Sequence, residues 1–287
     1  MPAKEIMMRI STTKTGLCLC AIVALVISAC GSGEMTDSSM KTADINDVSQ
    51  EDWEELASKT IYFGHQSVGS NMVKGMTQVM QEHPQVKLNI KKAQGVQDLN
   101  GPVFAHSAIG RNRDPQSKIS DFKSKMQSGM GEQVDIALFK FCYIDINGNT
   151  DINAMFEEYA SAMDELQREY PNVTFVHSTV PLEVAGSPLK NTIKKLIGKP
   201  LYQQEANMKR NQFNHLLLDK YSGQSPVFDL AGHESLSAAG KRTGFKAGDD
   251  TYFTLNPEYS SDGSHLNSKG QTTIATEFLV FLQSLAR

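Results

Sequence analysis

Short apolar runs of strand length alternate with longer stretches whose apolar residues recur every three or four positions, and this alternation leaves few folds open. Thr60 to Phe63 is a β-favouring run. After it Val68, Met72, Met76, Val79 and Met80 fall at helical spacing, so the unit reads strand, tight turn, helix. Val86 to Ile90 alternates like a strand. Residues 94–116, rich in Gly, Asn, Pro and Asp, read as loop, and Ile119 to Met130 as helix. Val134 to Tyr143 is a long apolar run and the best candidate for a central buried strand. Ile152 to Tyr170 predicts a helix, Val173 to Val180 a strand, Asn207 to Tyr221 a helix, Val227 to Leu230 a short strand and Thr272 to Leu285 a closing amphipathic helix. Strands separated by helices predict an α/β domain: a three-layer, doubly wound sheet of about five mostly parallel strands with helices on both faces. Sites in such sheets lie at the carboxyl ends of strands. That singles out the turn after Phe63, the end of the run at Tyr143 and the loop before the last helix.

The first thirty residues stand apart. Lys4, Arg9 and Lys14 make a basic start, and Gly16 to Ile27 is an apolar run too short to span a bilayer comfortably but of signal-peptide length. It ends Val26-Ile27-Ser28-Ala29-Cys30-Gly31, which resembles the lipobox of bacterial lipoproteins. Small residues fit a signal peptidase cleft, and the Cys30 thiol would accept the lipid. The alternative is a plain secretory signal. The resemblance implies a signal peptide over 1–29, lipidation at Cys30 and attachment to a membrane of the cell envelope by lipid chains. Gly31, where an Asp would suggest inner-membrane retention, leans toward an outer membrane in a Gram-negative cell. Of the four cysteines, Cys18 and Cys20 would leave with the signal and Cys30 would carry lipid. Cys142 alone remains, so no internal disulfide is expected. Residues 30–50 are small and polar and read as the lipidated cysteine and a tether, with the folded domain over 51–287. The charge balance, 28 Lys+Arg against 32 Asp+Glu, gives no basic footprint for nucleic acid.

Two places carry chemistry. Ser67 follows a strand, opens a helix and is flanked by Gly64 and Gly69; it reads equally as a nucleophile beside oxyanion-binding N–H groups or as a helix N-cap. Asp262-Gly-Ser-His265 lies just before the last helix, where His265 could serve as general base and Asp262 could orient it; the other reading is a polar loop that caps the helix. No His, Cys, Asp or Glu cluster has metal-ligand spacing, no phosphate-cradling glycine motif appears, and no cofactor is expected.

Together, an early strand-end Ser in a glycine-rich turn and D-x-x-H-L before the closing helix resemble the SGNH (GDSL-type) hydrolases, over roughly residues 58–287. Phe228-Asp-Leu-Ala231 and Gly270 add to the likeness. The resemblance implies a flavodoxin-like architecture and a serine esterase in which Ser67 is nucleophile and Asp262 and His265 complete a triad. Its substrate would be an acyl ester of a small molecule, a glycan or a lipid. The family's second oxyanion donor is a loop Gly, for which Gly110 is the match. Its third is an Asn in a Gly-x-Asn-Asp motif that this chain lacks, and Asp145, Asn147 or Asn112 is the candidate for that place. The turn departs too, reading Gly64-His65-Gln66-Ser67 where the family has Gly-Asp-Ser.

Three other functions stay open at this level. An SGNH-like fold could serve as an inactive binding or scaffold lipoprotein, an O-acyltransferase could use the same triad, or Cys142 could act as a thiol nucleophile with His265. His65 could tune the nucleophile or bond within its turn, and Asn71 could bond across the site or face solvent. Arg111, Arg113 and Asp114 could contact a polar substrate or lie in a solvated loop. His177 reads as a core residue, and residues 232–258 as an insertion forming a lid or a substrate wall.

Overall fold

The computed structural model describes residues 33–36, 42–187, 191–193, 196–199 and 201–286. The expected signal peptide and the lipidation at Cys30 lie outside the described residues.

Within them the chain runs β1 (Gly33–Thr36), α1 (Gln50–Ala57), β2 (Thr60–His65), α2 (Ser67–Glu82), β3 (Ile90–Lys92), β4 (Val103–Ala108) and α3 (Pro115–Gln127). It continues β5 (Ile136–Phe139), α4 (Ile152–Glu169), β6 (Thr174–Ser178), α5 (Tyr202–Tyr221), β7 (Val227–Phe228), α6 (Leu230–Ser235), β8 (Lys241–Ala247), β9 (Asp250–Phe253) and α7 (Ser268–Leu285). The main sheet has six strands in the order β3-β4-β2-β5-β6-β7, and every pairing is parallel.

Successive side chains of a strand point to opposite faces, so strands buried on both sides must be apolar throughout. Ile61, Phe63, Phe104, Ile136, Leu138 and Val176 join one core with α1, α2, α6 and α7. Tyr62, Ala105, Ala137, Phe139 and Phe175 join the other with α3, α4 and α5. This is the three-layer α/β architecture that the sequence implied, with six strands instead of about five. Both cores draw their described members from Ile45 to Ala286, so a chain beginning at Gly31 keeps them whole.

The additional strand is β4, in the stretch expected to be loop. Val103 to Ala108 is a six-residue run hidden between glycine- and proline-rich flanks, and it pairs along its whole length with β2. The tether also ends sooner than expected. Asp44 caps a short 3-10 turn, Ile45 is buried, and the Ala43 N–H reaches Glu277 Oε1 at 2.9 Å, so packing starts ahead of Glu51.

The 232–258 insertion forms α6 and the β8–β9 hairpin, whose β8 also pairs with β1. Phe253 and Asn211 exchange two hydrogen bonds of 2.9 and 3.0 Å, which fasten the hairpin to α5. Between them lies a cavity of about 480 Å³ lined by Leu218, Tyr252 and Phe253 among others. Ser67, Asp262 and His265 are not in its lining, so the cavity that the insertion walls is separate from them.

Helices α2 and α7 pack closely because Gly75 has no side chain. A Cβ there would sit 2.1 Å from the backbone oxygen of Gln271. This contact brings the start of the first strand–helix unit beside the loop that precedes the last helix.

Candidate active site

The turn that carries Ser67 is built for close approach. Gln66, in extended conformation, is the N-cap of α2, and Ser67 is the first helical residue. Ser67 Oγ therefore does not cap its helix. The Gln66 amide instead donates to the carbonyls of Ile109 and Gly110 at 2.7 and 3.0 Å, tying the turn to the loop after β4. Gly69 is required by space rather than by an unusual φ, since a Cβ there would lie 2.3 Å from His65 Cβ.

His65 lies under this first turn. Its Nδ1 faces the Gln66 carbonyl at 2.9 Å, which can only accept, so Nδ1 carries the proton and Nε2 accepts from His106 Nδ1 at 2.9 Å. Burial pushes the His65 imidazole down to about 3, so the ring is neutral. It is the turn hydrogen bond, one of its two expected roles, that His65 makes.

The late loop is organised by Asp262. Its Oδ1 accepts from the N–H groups of Ser264 and His265, both at 2.8 Å, while Oδ2 meets His265 Nδ1 at 2.8 Å. These bonds, the His265 N–H first among them, hold the carboxyl well below the usual carboxylate range. With the proton on Nδ1, His265 Nε2 is an acceptor, and it lies 3.1 Å from Ser67 Oγ across 198 positions of sequence. Asn71 Oδ1 accepts the Leu266 N–H at 3.3 Å, so the turn of α2 after Ser67 also holds the late loop. Tyr143 packs its ring edge-on to His265, with centroids 5.5 Å apart. Ser67, His265 and Asp262 thus form a continuous row in which a hydroxyl proton can pass to an imidazole that a carboxylate orients.

Not every expected site residue joins them. The Gly110 N–H already donates to Asp121 Oδ2 at 2.8 Å, which removes it as an oxyanion donor. Asp145 is buried, with Oδ1 taken by the Arg113 N–H at 2.9 Å and Oδ2 by Lys118 Nζ at 2.5 Å and the Cys142 N–H at 2.7 Å. A saturated acceptor cannot donate to an oxyanion, so Asp145 braces the loops instead. Asn147 Oδ1 caps a local turn through the Asn149 N–H at 2.9 Å. Asn112 keeps its candidacy: Lys118 Nζ engages its Oδ1 at 3.0 Å, which assigns the other end of the amide as the NH₂ donor. The Ser67 N–H lies in the first turn of α2, where a helix leaves its N–H groups without intrahelical acceptors.

Cys142 is buried, with Sγ 3.7 Å from Ser67 Oγ. His177 is a core residue as expected, bonded to the Tyr159 hydroxyl at 2.7 Å and stacked on Tyr221. Arg111 pairs with Asp114 at 2.7 Å in an exposed loop, the bland alternative for that pair.

The residues that sequence reasoning missed form a support behind the row. Ser264 Oγ donates to Glu183 Oε1 at 2.9 Å, and Glu183 Oε2 pairs with buried Arg210 at 2.7 Å. Arg210 Nε also donates to the Tyr143 carbonyl at 2.8 Å. The signal was present: Asn207, Arg210 and Asn214 recur at helical spacing on α5 and are all buried, a polar stripe turned inward.

The main sheet is all-parallel with helices on both faces, and the row of Ser67, His265 and Asp262 lies at the carboxyl ends of its strands, where the SGNH resemblance led us to expect it. No family model matches the chain, and no curated protein matches it. Solved structures similar to it include a lipase/acylhydrolase from Enterococcus faecalis, at 12% identity over 79% of this chain and 96% of that one, TM-score 0.46. A carbohydrate esterase family 3 protein from Talaromyces cellulolyticus is similar at 15% identity, 79% and 96% coverage and TM-score 0.43. The periplasmic domain of a lipopolysaccharide acetyltransferase from Salmonella ser. Paratyphi A is similar at 12% identity, 78% and 81% coverage and TM-score 0.43.

Proposed function

We propose that this chain is a serine ester hydrolase acting on O-acyl groups of a glycan or lipid. The observation that carries the reading is the unbroken row from Ser67 Oγ through His265 to Asp262, with spacings of 3.1 and 2.8 Å. Ser67 Oγ attacks the ester carbonyl as His265 Nε2 takes its proton, and the imidazolium then protonates the leaving alcohol. Water, activated by the same imidazole, releases the acid from the acyl-serine. Asp262 fixes the imidazole tautomer and balances its charge. The Ser67 N–H and the Asn112 amide are the candidate oxyanion donors, each worth about 3–4 kcal/mol in the transition state. Transfer to a second alcohol instead of water would run through the same steps. The address we propose is the bacterial cell envelope, through lipid on Cys30; the run Val26–Gly31 supports it.

The test is hydrolysis of short-chain p-nitrophenyl esters by residues 31–287. Ser67→Ala and His265→Ala are each expected to lower kcat/KM by about 10⁴-fold or more with an unchanged Tm. Activity that survives Ser67→Ala but not Cys142→Ala would transfer the nucleophile to Cys142, whose sulfur is the other reactive atom beside Ser67.

A further inference from the structure

Between Glu183 and helix α5 lies a segment unlike the rest of the molecule. In a chain of net charge −4, residues 184–204 contain four lysines (Lys190, Lys194, Lys195 and Lys199) and no acidic residue. The same stretch holds most of the exposed large apolar side chains among the described residues. Leu196 is 81% exposed, Tyr202 69%, Ile197 59% and Ile193 50%. The Ile197 N–H bonds to the Ile193 carbonyl at 3.2 Å and the Asn191 N–H to that of Ser187 at 2.9 Å, which are helical i to i−4 bonds. On a helical turn Ile193, Leu196 and Ile197, at i, i+3 and i+4, share one face.

A cluster of this kind left open to water costs hydrophobic free energy. Exposed Leu, Ile and Tyr side chains in a stretch of sequence rich in lysine match a surface that is apolar beneath and negative on top. No helix among the described residues is long and apolar enough to cross a membrane, so this segment would lie on one rather than span it. We propose that the exposed Ile193, Leu196, Ile197 and Tyr202, with Lys199, dock on the surface of an anionic phospholipid bilayer.

The position gives docking a consequence. The Val184 N–H donates to the Gly263 carbonyl at 2.9 Å, joining the base of the segment to the loop of Asp262 and His265. A cavity of about 300 Å³ beside that loop is lined by Gly186, Ser187, Asn191 and Gln203 on one side and by Asp262 and Ser264 on the other. Docking through Ile193, Leu196 and Ile197 would therefore set the Ser–His–Asp row at the lipid surface. The inference stands on exposure and charge and does not depend on the proposed ester hydrolysis.

The test uses residues 31–287, which lack Cys30, with sedimentation against vesicles of phosphatidylcholine alone and with about a third phosphatidylglycerol. Binding to the anionic vesicles is expected, with loss in high salt and weak or no binding to phosphatidylcholine. Leu196→Asp with Ile197→Asp should reduce binding at least about tenfold, and Lys199→Gln about fivefold, the effect of one lysine at an anionic surface. All these side chains are exposed, so an unchanged Tm establishes that the variants remain folded. Failure to bind anionic vesicles, equal binding to both vesicle types, or binding indifferent to the double substitution would overturn the proposal. A lipid-free dimer that Leu196→Asp dissociates, with no vesicle binding, would assign the face to a second copy of the chain.

Discussion

Asp262 shapes its own loop with one carboxylate oxygen and orients His265 with the other. An amide in its place could keep the loop bonds to Oδ1 but would present NH₂ to His265 and favour the wrong imidazole tautomer. Asp262→Asn is therefore expected to lower kcat by about 10⁴-fold at neutral pH with little change in KM, measured by steady-state ester hydrolysis. Two other histidines bear on stability. Burial pushes His65 down to about 3 and His177 down to about 4, so both are neutral in the native protein. In the unfolded chain each takes up a proton near pH 6.5. Below that pH the unfolded state binds protons that the native state refuses, and stability falls by about 1.4 kcal/mol per pH unit for each histidine. The loss runs from about pH 6.5 down to the native values. Buried Glu234, pushed up to about 8, works in the opposite sense, stabilising as pH falls from there toward its unfolded value. The diagnostic is thus the difference between proteins: in urea denaturation between pH 6.5 and 5, His177→Gln should lose less stability than the parent by about 2 kcal/mol. Equal losses would contradict a neutral, buried His177. At this scale the row of Ser67, His265 and Asp262 was legible because a serine after the first main-sheet strand and D-x-x-H before the last helix are few, specific signals. Gly110 and Asp145 were misjudged because their competitors, Asp121 and Lys118, sit on α3 and nothing in the sequence links them to those loops.

The elements place these residues through a few close contacts. Gly75 lets α2 lie against α7, and a methyl group there would meet a backbone oxygen that cannot swing aside. Gly75→Ala should cost about 1–3 kcal/mol in chemical denaturation and also lower kcat, since α2 begins at Ser67 and α7 anchors the loop of His265. Helix α3 contributes Lys118, whose ammonium is shared by Asp145 and Asn112. Removing it strands a buried carboxylate, so Lys118→Met is expected to destabilise by about 3–5 kcal/mol. Asn112→Ala, at an exposed position, should leave stability nearly unchanged and lower kcat about 10²-fold, a contrast that separates the donor from its support. The long helices and β2, β5 and β6 were readable from periodicity because each buries a regular face. β4 escaped because six residues of strand carry little pattern of their own and take their conformation from pairing with β2.

At the scale of the whole molecule, the alternation of strand and helix was enough to give a parallel sheet between two helical layers, since such connections leave little choice of topology. The β8–β9 hairpin was not legible, because its residues are neither strongly alternating nor apolar and it is held by Asn211 and β1. The charge distribution also matters only at this scale: in an acidic chain the basic, apolar stretch 184–204 gives the proposed docking a preferred side.

Ser67 sits in the first strand–helix unit of the main sheet and His265 just before the last helix, 198 positions later. A ribosome that has delivered Ser67 still has most of the protein to make before it delivers His265. Until α7 settles against α2, the Ser67 of a chain still being made has no imidazole to take its proton. On the proposed mechanism, synthesis order alone then withholds ester cleavage until the last helix is in place.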